Sequence, residues 1–193
     1  VSPEAICTAE IITRENIILC GSDIIKSLFN KLDPDVCFLD AIRKDGDEVK
    51  KNTKIIGIKG KGIALLEGER IALNILQRLS GIASLTKRYV DEANPVKILD
   101  TRKTTPGFRS FEKYAVNCGG AENHRFGLYD AILIKDNHIK ASGGITPAVQ
   151  KVKKNNTAVQ IEVETNSLDQ VREAVETKID TIMLDNMSVE MIK

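Results

Sequence analysis

Between Asp100 and Ile139 the chain reads DTRKTTPGFRSFEKYAVNCGGAENHRFGLYDAILIKDNHI, and this run gathers most of the residues that could do chemistry. It holds both histidines, His124 and His138, and five of the eight aromatics. Arg102, Lys103, Arg109, Lys113, Arg125 and Lys135 add cationic side chains, although the whole 193-residue chain carries a net charge of only +1. The basic character is therefore local. Arginine and lysine beside histidine, hung on glycine-rich turns, suit a small polyanion better than a long nucleic acid. His124 next to Arg125 points the same way, because adjacent cationic side chains gain little unless an anion lies between them.

The elements that must position these residues follow from apolar spacing. Segments 5–12, 16–20, 36–42 and 54–59 are predicted as strands, with RKDGDEVKKN a polar divider before the last of them. Gly21 then Ser22 opens a helix on Ile24, Ile25, Leu28 and Phe29, with Ser22 as its cap and Asp33-Pro34 as its end. Residues 65–93 read as mainly helical, with Ser80-Gly81 marking a break or a close helix contact. From residue 95 the pattern becomes strand, loop, helix, repeated. Strands at 96–99, 131–134, 159–163 and 179–184 alternate with helices across 111–116, from near Thr146 with Pro147 in its first turn, from Ser167 with a Ser167/Gln170 capping box, and from Ser188. Four such units imply parallel strands with right-handed crossovers. A polar residue stands at each strand's C-terminal end: Asp100, Lys135, Glu164 and Asp185. In βα barrels that face carries the active site.

The expected architecture is α/β. A small N-terminal α+β, sandwich-like domain (1–64) leads through a connecting helical segment at a dimer interface (65–94) to an incomplete, open TIM-like α/β barrel domain (95–193). The chain lacks an initial Met and stops at Lys193 inside a new helix, so a fragment with an unclosed barrel is expected.

Composition narrows the functional classes. Hydrophobic content of 42% and charged content of 28% are those of a globular protein. No run approaches the ~20 apolar residues of a membrane span, and no signal-peptide order is visible. Cys7, Cys20, Cys37 and Cys118 are widely spaced and form no zinc-type pair, which favours reduced, mostly buried thiols in the cytoplasm. Near-neutral charge argues against nucleic acid as partner. GIKGKG at 57–62 matches neither common phosphate-loop spacing and reads as a strand-to-turn transition. KVKK at 151–154 reads as a solvated helix end.

DTRKTTPGFR, EKYAV, GG-x-x-NHR-x-GL and ILIKDNHI, in this order and spacing, closely resemble the quinolinate phosphoribosyltransferase family. GERIALNILQRLSGIA at 68–83, IEVET at 161–165 and IMLDN at 182–186 agree with it. One departure is Ala121, where the family usually has a third glycine; a small adjustment of that turn is expected. The resemblance implies a decarboxylating pentosyltransferase of NAD biosynthesis, converting quinolinate and phosphoribosyl pyrophosphate to nicotinate mononucleotide, pyrophosphate and CO2. It implies quinolinate binding by Arg70, Arg102, His124, Arg125 and Lys135, with Arg70 contributed by the partner subunit of a homodimer. Lys103 and Lys135 would neutralise phosphate or pyrophosphate. Glu164 and Asp185 would hold Mg2+, directly or through water, and steady the developing ribosyl cation. Glu162 shares the Glu164 face and is the weaker candidate. His138 and Asn137 are expected to support the Lys135 loop. Two other readings compete: a same-fold paralogue acting on another anionic heterocycle, of the molybdenum-transport-associated type, and a non-catalytic dimer partner.

Overall fold

The computed structural model describes residues 2, 4–39, 43–155 and 158–192, which form two compact units, 1–124 and 125–193. The first contains β1 (Ile6–Ile12), β2 (Ile17–Ile18), α1 (Ser22–Leu32), β3 (Cys37–Leu39), β4 (Glu48–Val49), β5 (Lys54–Lys61), α2 (Gly62–Ala93) and α3 (Arg109–Cys118). An antiparallel sheet runs in the order β1-β5-β3, and β2 pairs with β4. The central strand β5 buries Ile55, Ile56 and Ile58, as a strand with neighbours on both sides can. These pack with Leu19, Ile25, Phe29, Val49, Leu65 and Leu76 into one core, each fully buried side chain contributing about 1.5–3 kcal/mol.

Local chemistry explains where this unit departs from the sequence reading. Helix α1 begins after Gly21, and Ser22 is a buried first helical residue rather than a cap. The cap comes from a distant residue. Asp45 accepts the backbone N–H groups of Gly21 and Ser22, both at 2.9 Å, and so satisfies donors that the helix start leaves open. The two-residue strand β4 lies inside the stretch read as a polar divider. Of the strand expected at 36–42, residues 40–42 lie outside the described residues.

Helix α2 runs unbroken through Ser80-Gly81. A Cβ at Gly81 would meet nothing within 4 Å. Ser80 is the buried member of the pair: its Oγ accepts from Cys20 N at 3.0 Å and donates to Cys20 O at 3.3 Å. Ser84 Oγ accepts from Ile18 N at 2.8 Å, so two serines one turn apart tie the helix to the edge of β2. The close helix contacts sit elsewhere. A Cβ at Gly68 would come within 2.5 Å of the Phe29 ring on α1, and one at Gly119 within 2.5 Å of the Ala83 carbonyl on α2.

The strand expected at 96–99 is reduced to one parallel bridge, Leu99 to Glu122. That segment lies in the first unit, and the described residues of the second carry three strand–helix repeats. They are β6 (Ile132–Ile134), α4 (Asp136–Ser142), α5 (Ile145–Asn155), β7 (Ile161–Thr165), α6 (Leu168–Glu176), β8 (Thr181–Leu184) and α7 (Val189–Ile192). The strands form a parallel sheet in the order β6-β7-β8, with no closed barrel among the described residues. Ile134, Ile161 and Val163 pack with Ile145, Ala148, Val149 and Ala174 from the helices.

Helix α4 was not expected; α5 starts one residue before Thr146. Only half of the Ser167/Gln170 box forms. Ser167 Oγ accepts from Gln170 N at 3.3 Å, but Gln170 Oε1 accepts from Asn166 N instead. Lys153 of the KVKK cluster is not merely solvated: its Nζ donates to the carbonyls of Thr177 and Lys178 at 2.8 and 3.0 Å and closes the end of α6.

Candidate active site

In the second unit the strand register places the candidate residues on one face. Leu133 pairs with Glu162, Glu162 with Thr181, and Glu164 with Met183. Side chains two apart share a face, so Lys135, Glu164 and Asp185 all stand on the same side, at or just past the C-terminal ends of three adjacent strands. The opposite face carries Ile132, Ile134, Ile161, Val163 and Ile182, which pack with the helices. Lys135 Nζ lies 3.2 Å from Glu164 Oε2. The pair is in ion-pair range but lacks hydrogen-bond geometry, so that buried oxygen accepts no hydrogen bond. Asp185 is fixed through its backbone N–H, which donates to Thr165 O at 2.7 Å.

The loop after β6 is shaped by His138, whose Nδ1 accepts the Lys135 backbone N–H at 2.9 Å. This is the supporting part expected of it. Arg125 is half-buried, and its Nη1 donates to Ala131 O at 3.1 Å. Asp130 accepts the N–H groups of Phe126 and Gly127 at 2.7 and 3.1 Å, closing the turn after Arg125.

In the first unit Arg70 and Lys103 are exposed, Arg102 and His124 half-buried. Arg102 Nε is buried and has no hydrogen-bond partner. An orphaned guanidinium N–H inside a folded protein is costly and calls for an acceptor. Around it, the DTRKTTPGF loop is held at several points. Thr105 to Phe108 form a turn in which Phe108 N donates to Thr105 O at 2.9 Å and Gly107 has φ 79. That matches Pro-Gly at the centre of a type II turn.

Lys113 and Arg109 do not serve as free anion donors. Lys113 is only 2% exposed; it pairs with Asp100 and donates to His124 O at 2.9 Å. Asp100 in turn accepts His124 N at 2.9 Å and Asn123 Nδ2 at 2.6 Å. Arg109 reaches Thr104 Oγ1 at 3.3 Å and Arg102 O at 3.4 Å. Two charged residues were missed by the sequence reading. Arg78 of α2 grips Glu112 Oε1 through Nη2 at 2.7 Å and Nε at 3.2 Å, and Glu112 accepts from Thr105 N at 3.1 Å and Thr105 Oγ1 at 2.8 Å. Burial alone would raise the Glu112 carboxyl, but the hydrogen bonds from Arg78 and Thr105 outweigh it and hold it below its ordinary value. Glu112 itself was detectable only as a charge at a buried position of α3, and nothing in the sequence marks the exposed Arg78 as its partner.

Two features of the first unit lie away from these residues. A cavity of about 880 Å³, lined by β1, Thr13–Glu15 and one face of α2, contains none of the candidate site residues. Cys20, Asp45 and Cys118 come within 4.8 Å of one another despite their spacing in sequence. Asp45 there already caps α1 and accepts the Tyr114 hydroxyl at 3.0 Å. Burial, and then the neighbouring Cys118, push the Cys20 thiol well above its ordinary value. Cys7 and Cys37 are exposed, contrary to the mostly buried thiols expected.

Comparison with known proteins settles the family. The quinolinate phosphoribosyl transferase N-terminal domain matches residues 1–80 and the C-terminal domain residues 82–193. This chain belongs to the quinolinate phosphoribosyl transferase family. It is 47% identical over 98% of its length to a probable nicotinate-nucleotide pyrophosphorylase [carboxylating] of Bacillus subtilis, covering 66% of that protein. It is 43% identical over 95% of its length to the chloroplastic nicotinate-nucleotide pyrophosphorylase [carboxylating] of Arabidopsis thaliana, covering 55% of it. NadC from Streptococcus pyogenes is similar in structure, with a TM-score of 0.94 at 42% identity, over 100% of this chain and 69% of that one. The chain thus spans between 55% and 66% of these curated relatives. Among the described residues no helix is long and apolar enough to cross a membrane.

Proposed function

We propose that the protein transfers the phosphoribosyl group of phosphoribosyl pyrophosphate to the ring nitrogen of quinolinate, with decarboxylation, giving nicotinate mononucleotide, pyrophosphate and CO2. The observation that carries this reading is Arg102: a half-buried guanidinium with an orphaned Nε–H, in a loop pinned by its neighbours. Quinolinate has two adjacent carboxylates on a planar ring, and planar bidentate donors recognise such groups best. In this proposal Arg102, His124, Arg125 and Lys135 bind the carboxylates, and an exposed Arg70 is lent by the second copy of a homodimer. The exposed apolar residues Leu66 and Ile71 beside it on α2 support a role for the 65–94 segment at that interface.

Lys103 and Lys135 offset phosphate charge. Glu164 and Asp185 fit Mg2+, since both are hard oxygen donors on one strand face and Glu164 Oε2 accepts no hydrogen bond. When bound, the ion would neutralise the pyrophosphate as it departs. The two carboxylates also favour the positive charge that develops on the ribosyl ring as the bond to pyrophosphate lengthens. The ring nitrogen forms the new bond to C1 and becomes cationic. The adjacent ring carbon can then keep the electron pair as its carboxylate leaves as CO2, and it takes up a proton. The chain's own work is positioning and charge. A cytoplasmic setting belongs to the same proposal and is supported by four free thiols.

The test is product analysis. Full-length protein with quinolinate, phosphoribosyl pyrophosphate and Mg2+ should release CO2 and nicotinate mononucleotide in equal amounts. Pyrophosphate release without CO2 would show a different acceptor and overturn the assignment.

A further inference from the structure

We infer that Glu112, backed by Arg78, is a positioning residue that sets how tightly the loop bearing Arg102 binds its substrate; the inference rests on the quinolinate reading above. Glu112 and Lys113 are consecutive on α3, and both are buried charges, 8% and 2% exposed. Consecutive helical residues point in different directions, and here each takes one end of the same loop. Lys113 holds Asp100 and the carbonyl of His124. Glu112 holds Thr105 through both its N–H and its hydroxyl. Arg102 and Lys103 lie between these two anchors. Arg109, one turn before Glu112, adds bonds to Thr104 Oγ1 and Arg102 O.

The Glu112 anchor differs from an ordinary structural ion pair in its directionality. Arg78 brings two N–H groups to Oε1 and also donates to Thr105 Oγ1 at 2.9 Å. Thr105 Oγ1 therefore accepts from Arg78 while donating to Glu112, which fixes the rotamer of the threonine as well as its backbone. Both carboxylate oxygens are used, since Thr105 N bonds Oε2. A loop closed in this way keeps the half-buried Arg102 guanidinium in place before any ligand arrives. Its binding then avoids the cost of ordering the loop. Nothing in this clamp touches substrate; it acts through Arg102.

The test uses the full-length protein, with quinolinate titrated calorimetrically in the absence of phosphoribosyl pyrophosphate and amide hydrogen exchange followed across residues 101–108. Glu112→Gln should weaken quinolinate binding by about ten-fold or more, as small misplacements of a binding group do. It should speed exchange in 101–108 while leaving exchange in β5 and α2 unchanged. Thr105→Val, a milder change at an exposed position, should move both readouts in the same direction, and Thr105→Ser should restore them. Wild-type affinity in folded Glu112→Gln, or equal effects of Thr105→Val and Thr105→Ser, would overturn the inference. Accelerated exchange throughout the unit would assign Glu112 to general stability instead. Failure of the wild-type protein itself to bind quinolinate would remove the functional reading and this inference with it.

Discussion

Arg102 and Lys113 are both cations of the same run, yet the fold gives them opposite parts. Lys113 is neutralised internally by Asp100, thirteen positions earlier, whereas Arg102 keeps an unpartnered N–H. Residue type and local density pointed to a polyanion site, but they could not separate the cations that face a ligand from those that build the loop. That distinction depends on partners distant in sequence: Asp100 for Lys113, Arg78 for Glu112. Lys113→Ala would leave the Asp100 carboxylate buried without its counter-charge. It should destabilise the protein by about 3–5 kcal/mol, read as a lower urea midpoint with an unchanged slope. A loss under about 1 kcal/mol would mean the pair is not effectively buried.

Glu112 makes a pH prediction of definite sign. Its folded carboxyl lies below the ordinary value of 4.5, so its stabilising contribution is fully present above that value and is lost as pH falls through the lower folded value. Exchange protection of residues 101–108 should therefore hold steady from neutral pH down to the ordinary glutamate range and fall only below it. Loss of protection above that range would place the controlling group elsewhere.

At the scale of elements, the strand–helix alternation after residue 130 was legible because each strand is a short apolar run bounded by turn residues. Its polar C-terminal residues could be named in advance, and the register brings Lys135, Glu164 and Asp185 to one face. The failures share a cause. Segment 96–99 has strand character but gains only one bridge, through Leu99. The sequence DNHIKAS is short and polar, and its helix depends on His138 capping Lys135. Ser22 looked like a cap because the residue that caps α1, Asp45, is 23 positions away. Helix α3 relies on its close approach to α2 at Gly119. Gly119→Ala should accordingly cost about 1–3 kcal/mol in stability through overpacking, whereas Gly81→Ala, with open space around it, should not destabilise. Equal effects of the two substitutions on the thermal midpoint would contradict that account. The strand-end carboxylates have their own signature: Glu164→Gln and Asp185→Asn should impair turnover more than quinolinate affinity, because the proposed mechanism has them act on charge that develops during transfer. Steady-state kinetics beside a binding isotherm separates the two.

At the scale of the whole molecule, the proposal requires two copies. Arg70 is exposed on α2 and, in the proposed dimer, completes the site of its partner. Inactive Arg70→Ala and Arg102→Ala proteins, mixed under conditions that exchange subunits, should recover up to about a quarter of wild-type activity. Random pairing makes half of the dimers mixed, and each mixed dimer has one of its two sites free of both changes. No recovery despite demonstrated exchange would argue that each copy works with its own Arg70. Central to all of this is recognition of a dicarboxylate by the loop that carries Arg102. The most direct measurement is calorimetric titration of the full-length protein with quinolinate and, in parallel, with nicotinate, which lacks one carboxylate. Quinolinate should bind at one site per chain and much more tightly than nicotinate, and Arg102→Ala should lose at least about 1.5–3 kcal/mol of that binding while remaining folded. Equal affinity for the two ligands, or unchanged quinolinate binding in Arg102→Ala, would contradict the account.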